Sequence, residues 1–125
     1  MRIKTQIVCV TLLTIFLAAG CAKQADSNKP IERIQKEVAG MSVSQLESSA
    51  RAYAKEIAVQ KTALGKIQTQ LKQLSPADLL GDKAQGVKKD VSKVAAQIKA
   101  LTQRYDIYAS KYRELGGDLS KIKIG

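Results

Sequence analysis

Histidine and tryptophan are absent from this chain of 125 residues, which also has one phenylalanine, two cysteines and two prolines. Without histidine, the side chain that most often serves as a general base or metal ligand near neutral pH is missing. The two cysteines, Cys9 and Cys21, form neither a redox C-x-x-C pair nor a zinc-ligand cluster, and no glycine-rich run offers a phosphate loop. The usual nucleophile and base pairs of enzymes therefore have no material here. The acids that remain stand at expected helix starts or beside surface bases, as Glu47 does four residues before Arg51. No catalytic residue, metal or cofactor site is expected. Scarce proline, with abundant alanine, lysine and glutamine, points to helix throughout.

What is present begins with an export signal. Met1-Arg2-Ile3-Lys4 places two positive charges at the start, Ile7 to Ala19 is uncharged and mostly apolar, and the stretch ends in small residues. That order of charged, apolar and small segments is the order of a secretory leader. The apolar run is well short of the roughly 20 residues that span a bilayer as a helix, so a removable leader is favoured over a permanent span.

Leu17-Ala18-Ala19-Gly20-Cys21 resembles the lipobox of bacterial lipoproteins, with Ala18 where leucine is commonest. The resemblance implies cleavage between Gly20 and Cys21, a diacylglyceryl group on the Cys21 sulfur and an N-acyl chain on the new amino terminus. It also implies a protein tied to a membrane through that lipid. Chemistry agrees with the pattern, because only a thiol can carry the thioether. Cys9 leaves with the leader, and the one thiol that remains cannot form an internal disulfide. Ala22, rather than aspartate, follows Cys21, and in two-membrane bacteria of the enteric type this implies the periplasmic face of the outer membrane. Further on, Tyr108-Ala109-Ser110-Lys111-Tyr112-Arg113 is weakly similar to the carboxyl end of the murein lipoprotein. That family ends in a lysine joined to peptidoglycan, whereas this chain continues through Lys121-Ile122-Lys123-Ile124-Gly125, so covalent wall attachment is not implied.

Residues 21–125 form a small basic body. Of the 21 lysines and arginines, Arg2 and Lys4 belong to the leader, leaving 19 against 11 acids and a formal charge of +8. Residues 21–30 lack an apolar period and are expected to be the lipidated cysteine and a flexible linker. Pro30 favours a first helical turn, and Ile31, Ile34, Val38 and Met41 predict a short helix over 31–41. Ser44 with Glu47 fits a capping box for the next helix, which begins at Ser42 or Ser44.

From there Leu46, Ala50, Tyr53, Ile57, Gln60, Leu64, Ile67, Leu71 and Leu74 step by fours and threes without a slip. After Ser75-Pro76-Ala77-Asp78 the rhythm resumes at Leu80, Ala84, Val87, Val91, Val94, Ile98, Leu101, Tyr105, Tyr108, Tyr112 and Leu115, and Gly116-Gly117 supplies a stop. The expected fold is all-α: a long antiparallel two-helix hairpin, a coiled coil, over 42–117, with helices of about 42–74 and 76–115, preceded by the short helix and followed by a tail over 118–125. Pairing numbers that sum to about 158 sets Tyr53 beside Tyr105, Ala50 beside Tyr108 and Leu46 beside Tyr112. Two helices bury one stripe each, so a third element is needed. The short helix, a second copy in a homo-oligomer, or another envelope protein can each supply it.

Candidate sites are few. Tyr105, Tyr108 and Tyr112 continue the seam and read as core before they read as a stacking platform. Gln60, the one polar seam residue, reads as a register device. Lys83, Lys88, Lys89, Lys93 and Lys99 on the second arm, with Lys55, Lys61, Lys66 and Lys72 on the first, offer contacts for an anionic envelope polymer or an acidic protein, although a merely solvated surface explains them equally well. Nucleic acid is not expected as a partner of an exported chain. The reading is a membrane-anchored lipoprotein with a structural or spacer role, or alternatively a lipid-anchored adaptor with basic helix faces.

Overall fold

The computed structural model describes residues 25–122 and 124; Gly20, Cys21 and the leader lie outside the described residues. Those described are helical, with three α-helices, two short 3₁₀ turns and no strand among them. Helix α1 is Ile31–Val38, α2 is Val43–Lys72 and α3 is Asp82–Glu114.

Each boundary has a local cause. Helix α1 ends three residues before the expected 41, because Ala39-Gly40 closes a turn on Glu37 and Val38 and leaves Ser42 extended. The capping box forms two residues earlier than expected. Gln45 N–H donates to Ser42 Oγ at 3.2 Å and Ser42 N–H donates to Gln45 Oε1 at 3.0 Å, which satisfies two amides at the open end of α2. Glu47, expected to complete a box with Ser44, instead takes Arg51 at 2.6 Å and a Tyr112 hydroxyl at 3.3 Å.

Helix α3 begins later than expected from Pro76. Ser75 Oγ accepts the Asp78 N–H and donates to Asp78 Oδ2, and a 3₁₀ turn follows at Asp78–Leu80. Gly81 is then extended before α3 starts at Asp82. Leu80, expected to open the second seam, is therefore 90% exposed. At the other end Gly116 takes φ +91°, its N–H reaches Arg113 O, and Gly117 N–H reaches Tyr112 O at 2.8 Å, the paired bonds of a glycine-terminated helix. A Cβ at Gly117 would fall on the Tyr112 ring. The turn carries Leu115 out of the seam, where it was expected, to 45% exposure. The expected tail folds back instead, through a 3₁₀ turn at Leu119–Lys121, and buries Ile122.

Helices α2 and α3 pack side by side in opposite directions: Tyr112 near the end of α3 meets Glu47 near the start of α2, while the short connection joins their other ends. Tyr53 stacks on Tyr108, with centroids 5.4 Å apart and planes 28° apart, rather than on Tyr105 as expected. The Tyr112 hydroxyl, by contrast, reaches Glu47, one position from its expected neighbour Leu46, so the expected pairing holds to within three residues at these two contacts.

The core sits at one end. Ile34 and Val38 of α1, Leu46, Ala50, Tyr53, Ala54 and Ile57 of α2, and Leu101, Tyr105, Tyr108, Ala109 and Tyr112 of α3 form one buried cluster with Ile122. The third element that the sequence required is α1, which lies against α3. Along the rest of the two arms Leu64, Ile67, Leu71, Leu74, Val87, Val91 and Val94 stay half-buried, and only Ala84 is fully covered. A stripe shared by two helices has no third wall, so water reaches its edges.

Gly65 and Gly86 stand inside the long helices with nothing within 4 Å of a built Cβ. Gly65→Ala and Gly86→Ala should each stabilise the fold by about 0.5–1 kcal/mol, since alanine loses less backbone entropy in a helix. Chemical denaturation of the full chain in detergent is the measurement; a lowered midpoint would mean that something must approach those backbones closely.

Candidate functional site

Two regions stand apart chemically: the packed end, here called the head, and the basic outer half of the arms. The head is closed by the segment before α1. From Ala25 onward the expected linker is bound to the body. Tyr53 O–H donates to Asp26 O at 3.1 Å and Asp26 N–H donates to Tyr53 Oη at 3.2 Å. Arg104, buried in α3, sends Nε to Lys29 O at 2.9 Å and Nη1 to Ala100 O at 2.7 Å. Lys29 pairs with Glu37, which also takes Arg33. Charged donors on carbonyls and on a carboxylate are stronger than neutral ones, so residues 25–30 are a strap and not the flexible linker expected.

Under the strap is a cavity of about 410 Å³, with walls of Met41, Tyr53 and Tyr108 and a polar rim of Lys29, Glu37 and Gln45. Burial pulls the Lys29 ammonium down, but the hydrogen bond to Glu37 and the neighbouring Tyr108 outweigh it and leave the lysine above its ordinary value. The Lys29 hydrogen bond holds the Glu37 carboxyl below the usual carboxylate range, against a smaller opposing effect of desolvation. Burial pushes the Tyr108 phenol up. Sequence reasoning missed this cavity, because it exists only where α1 and the strap dock across the seam.

The carboxyl shift has a sign. A carboxyl depressed in the folded state contributes stability above its unfolded pKa and loses it as pH falls through the folded one. The strap should therefore loosen on acidification through and below the ordinary carboxylate range. Hydrogen exchange at the Asp26 and Lys29 amides should rise there relative to amides of α2, and Glu37→Gln should remove most of that pH dependence. An unchanged profile in the variant would assign the effect elsewhere.

The expected basic residues Lys83, Lys88, Lys89, Lys93 and Lys99 are all exposed on α3, as are Lys55, Lys61, Lys66 and Lys72 on α2. None of these nine forms a salt bridge among the described residues. Charge is unevenly divided: residues 26–57 hold five bases and five acids, whereas residues 58–99 hold eight lysines and three aspartates. The excess falls where the seam is half open. Tyr105, Tyr108 and Tyr112 are buried, in keeping with core and not with an exposed stacking platform. Gln60 donates to Glu56 at 2.9 Å on its own helix, so the hydrogen bond it makes does not cross the seam and gives no support to the register role.

Among the described residues there is no group of three or more side chains placed to hold a metal ion, and no helix is long and apolar enough to cross a membrane. Glu47 and Asp118 are held below the usual carboxylate range, by Arg51 and by Ser120 respectively, and both are surface groups. The lipidation and cleavage residues, Cys21 and Gly20, lie outside the described residues. Comparison with known proteins gave no matching family model, no matching curated protein and no matching solved structure.

Proposed function

We propose that the chain is a lipid-anchored helical hairpin of the bacterial envelope with a structural or spacer role, its two long helices forming an antiparallel coiled coil. The lipid is carried on Cys21 and the membrane is the outer one, on its periplasmic face. The observation that supports this reading is the strap. Three residues lie between Cys21 and Ala25, a reach of at most about 14 Å, and Ala25 packs against the head core. An acyl anchor at Cys21 thus holds the head near the bilayer. The connection at Asp78–Leu80 is then the far end, about 40 Å from Leu46 at 1.5 Å per residue.

Distance from the membrane tests the reading. The full lipidated chain, labelled through Glu32→Cys or Asp78→Cys and reconstituted in vesicles with acceptor lipid, should show strong energy transfer at position 32. Transfer at position 78 should be weak. Equal transfer at both positions would mean that the rod lies on the surface, and the spacer role would fail.

A second reading, an adaptor that recruits an anionic envelope polymer or an acidic protein, is favoured by the nine lysines that form no salt bridge among the described residues. A spacer acting by packing alone should keep its contacts in moderate salt, and an adaptor should lose its partner, because exposed charges are screened within about 8 Å at physiological ionic strength.

A further inference from the structure

We infer that the outer half of the two long helices is the docking face for an acidic amphipathic helix of another protein, which lies along the seam as a third strand. The inference deepens the adaptor reading and rests on it. Three observations meet on this face. Leu64, Ile67, Leu71, Leu74, Val87, Val91 and Val94 keep a helical spacing and remain half-buried, whereas their equivalents in the head are closed by α1. Lys61, Lys83 and Lys88 stand one residue from seam positions, where side chains flank any helix laid into the stripe. Residues 58–99 carry five more positive than negative charges, and their lysines form no salt bridge among the described residues.

The shape selects a helix. A straight apolar stripe with three-and-four spacing accepts another such stripe, and α1 already closes the head in this way. The charge selects an acidic one. A second copy of this chain would bring its own surplus of five positive charges against the first, a like-charge contact that opposes association. A flexible anionic polymer would satisfy the lysines and leave the leucines wet.

The test uses the full lipidated chain in detergent with three labelled probes: a synthetic helix with leucine on one stripe and glutamate beside it, the same peptide with lysine in place of glutamate, and polyglutamate of equal length. The acidic helix should bind, the lysine version should not, and affinity should fall about tenfold or more between roughly 50 and 300 mM salt. Lys61→Glu combined with Lys88→Glu should cost about tenfold, and Leu71→Gln a similar factor, with helix content unchanged by circular dichroism. Polyglutamate binding as tightly and ignoring Leu71→Gln would overturn the helix in favour of a polymer. Binding of neither acidic probe would overturn the docking face. In cells, a photo-crosslinker at Gln68 or Ala95 should join a peptide that is itself acidic and amphipathic; adducts to this chain alone, or none, would overturn the proposal. Acyl labelling of the same cells reports anchoring separately, so a failed partner and a failed anchor are distinguishable.

Discussion

Cys21→Ser should reduce incorporation of labelled fatty acid into the protein to background and leave the chain heavier by its twenty leader residues. The hydroxyl cannot form the thioether that carries the diacylglyceryl group, and the resemblance to lipobox signals implies that cleavage waits for that group. The expected effect is all or none. Each buried methylene contributes about 0.8 kcal/mol, and two acyl chains are what make membrane attachment lasting. No helix among the described residues replaces them as a span. Mass spectrometry of the purified protein reads both changes. Undiminished acylation of the variant, or an unacylated parent chain with Met1 intact, would remove the anchor from the proposal and the spacer role with it.

The second large effect concerns stability. Leu46→Ala should cost about 2–5 kcal/mol, because Leu46 is fully buried in the head cluster and its removal leaves a cavity as well as lost contacts. For a body of this size that is a substantial part of a total of about 5–15 kcal/mol. It should lower the melting temperature by roughly 10 °C or more, on the scaling of about 4–8 °C per kcal/mol. Leu71→Ala, in the half-buried outer seam, should cost less than half as much. Thermal unfolding of the two variants by circular dichroism makes the comparison. Equal losses would mean that the outer arms are covered in solution and that the head is not the only core.

That contrast bears on the lysines. A polar surface around a closed core needs no partner, whereas an open apolar stripe beside bases that form no salt bridge among the described residues has two unmet demands at one place. The head meets its own demands within the chain, through the Arg104 contact to the Lys29 carbonyl and the ion pair of Lys29 with Glu37. The outer arms do not, and the evenness of charge in residues 26–57 against the surplus in 58–99 follows the same division. Loosening by acid belongs to the head for the same reason, since Glu37 pairs with Lys29 of the strap.

Helix content and the two long arms were legible in the residues alone, because a three-and-four rhythm from Leu46 to Leu74 and from Ala84 to Tyr112 leaves few other ways to bury an apolar stripe. The burial of the tyrosines followed from the same rhythm, and so did the stop at Gly116, where positive φ favours glycine. Local chemistry moved the rest by a few residues: Ser42 had a glutamine three places on and capped before Ser44, and Ser75 with Asp78 held the connection out of helix until Asp82. What the tertiary structure alone decided was long-range. The strap over residues 25–30, the cavity beside it, the return of Ile122 and the stacking of Tyr53 on Tyr108 are long-range, with strap contacts that join residues 27 and 75 positions apart in sequence. Periodicity records which side of a helix is apolar but carries no information about which distant segment covers it. Residues 21–30 read as a linker for that reason: their anchors, Tyr53 and Arg104, are visible only once α2 and α3 stand side by side.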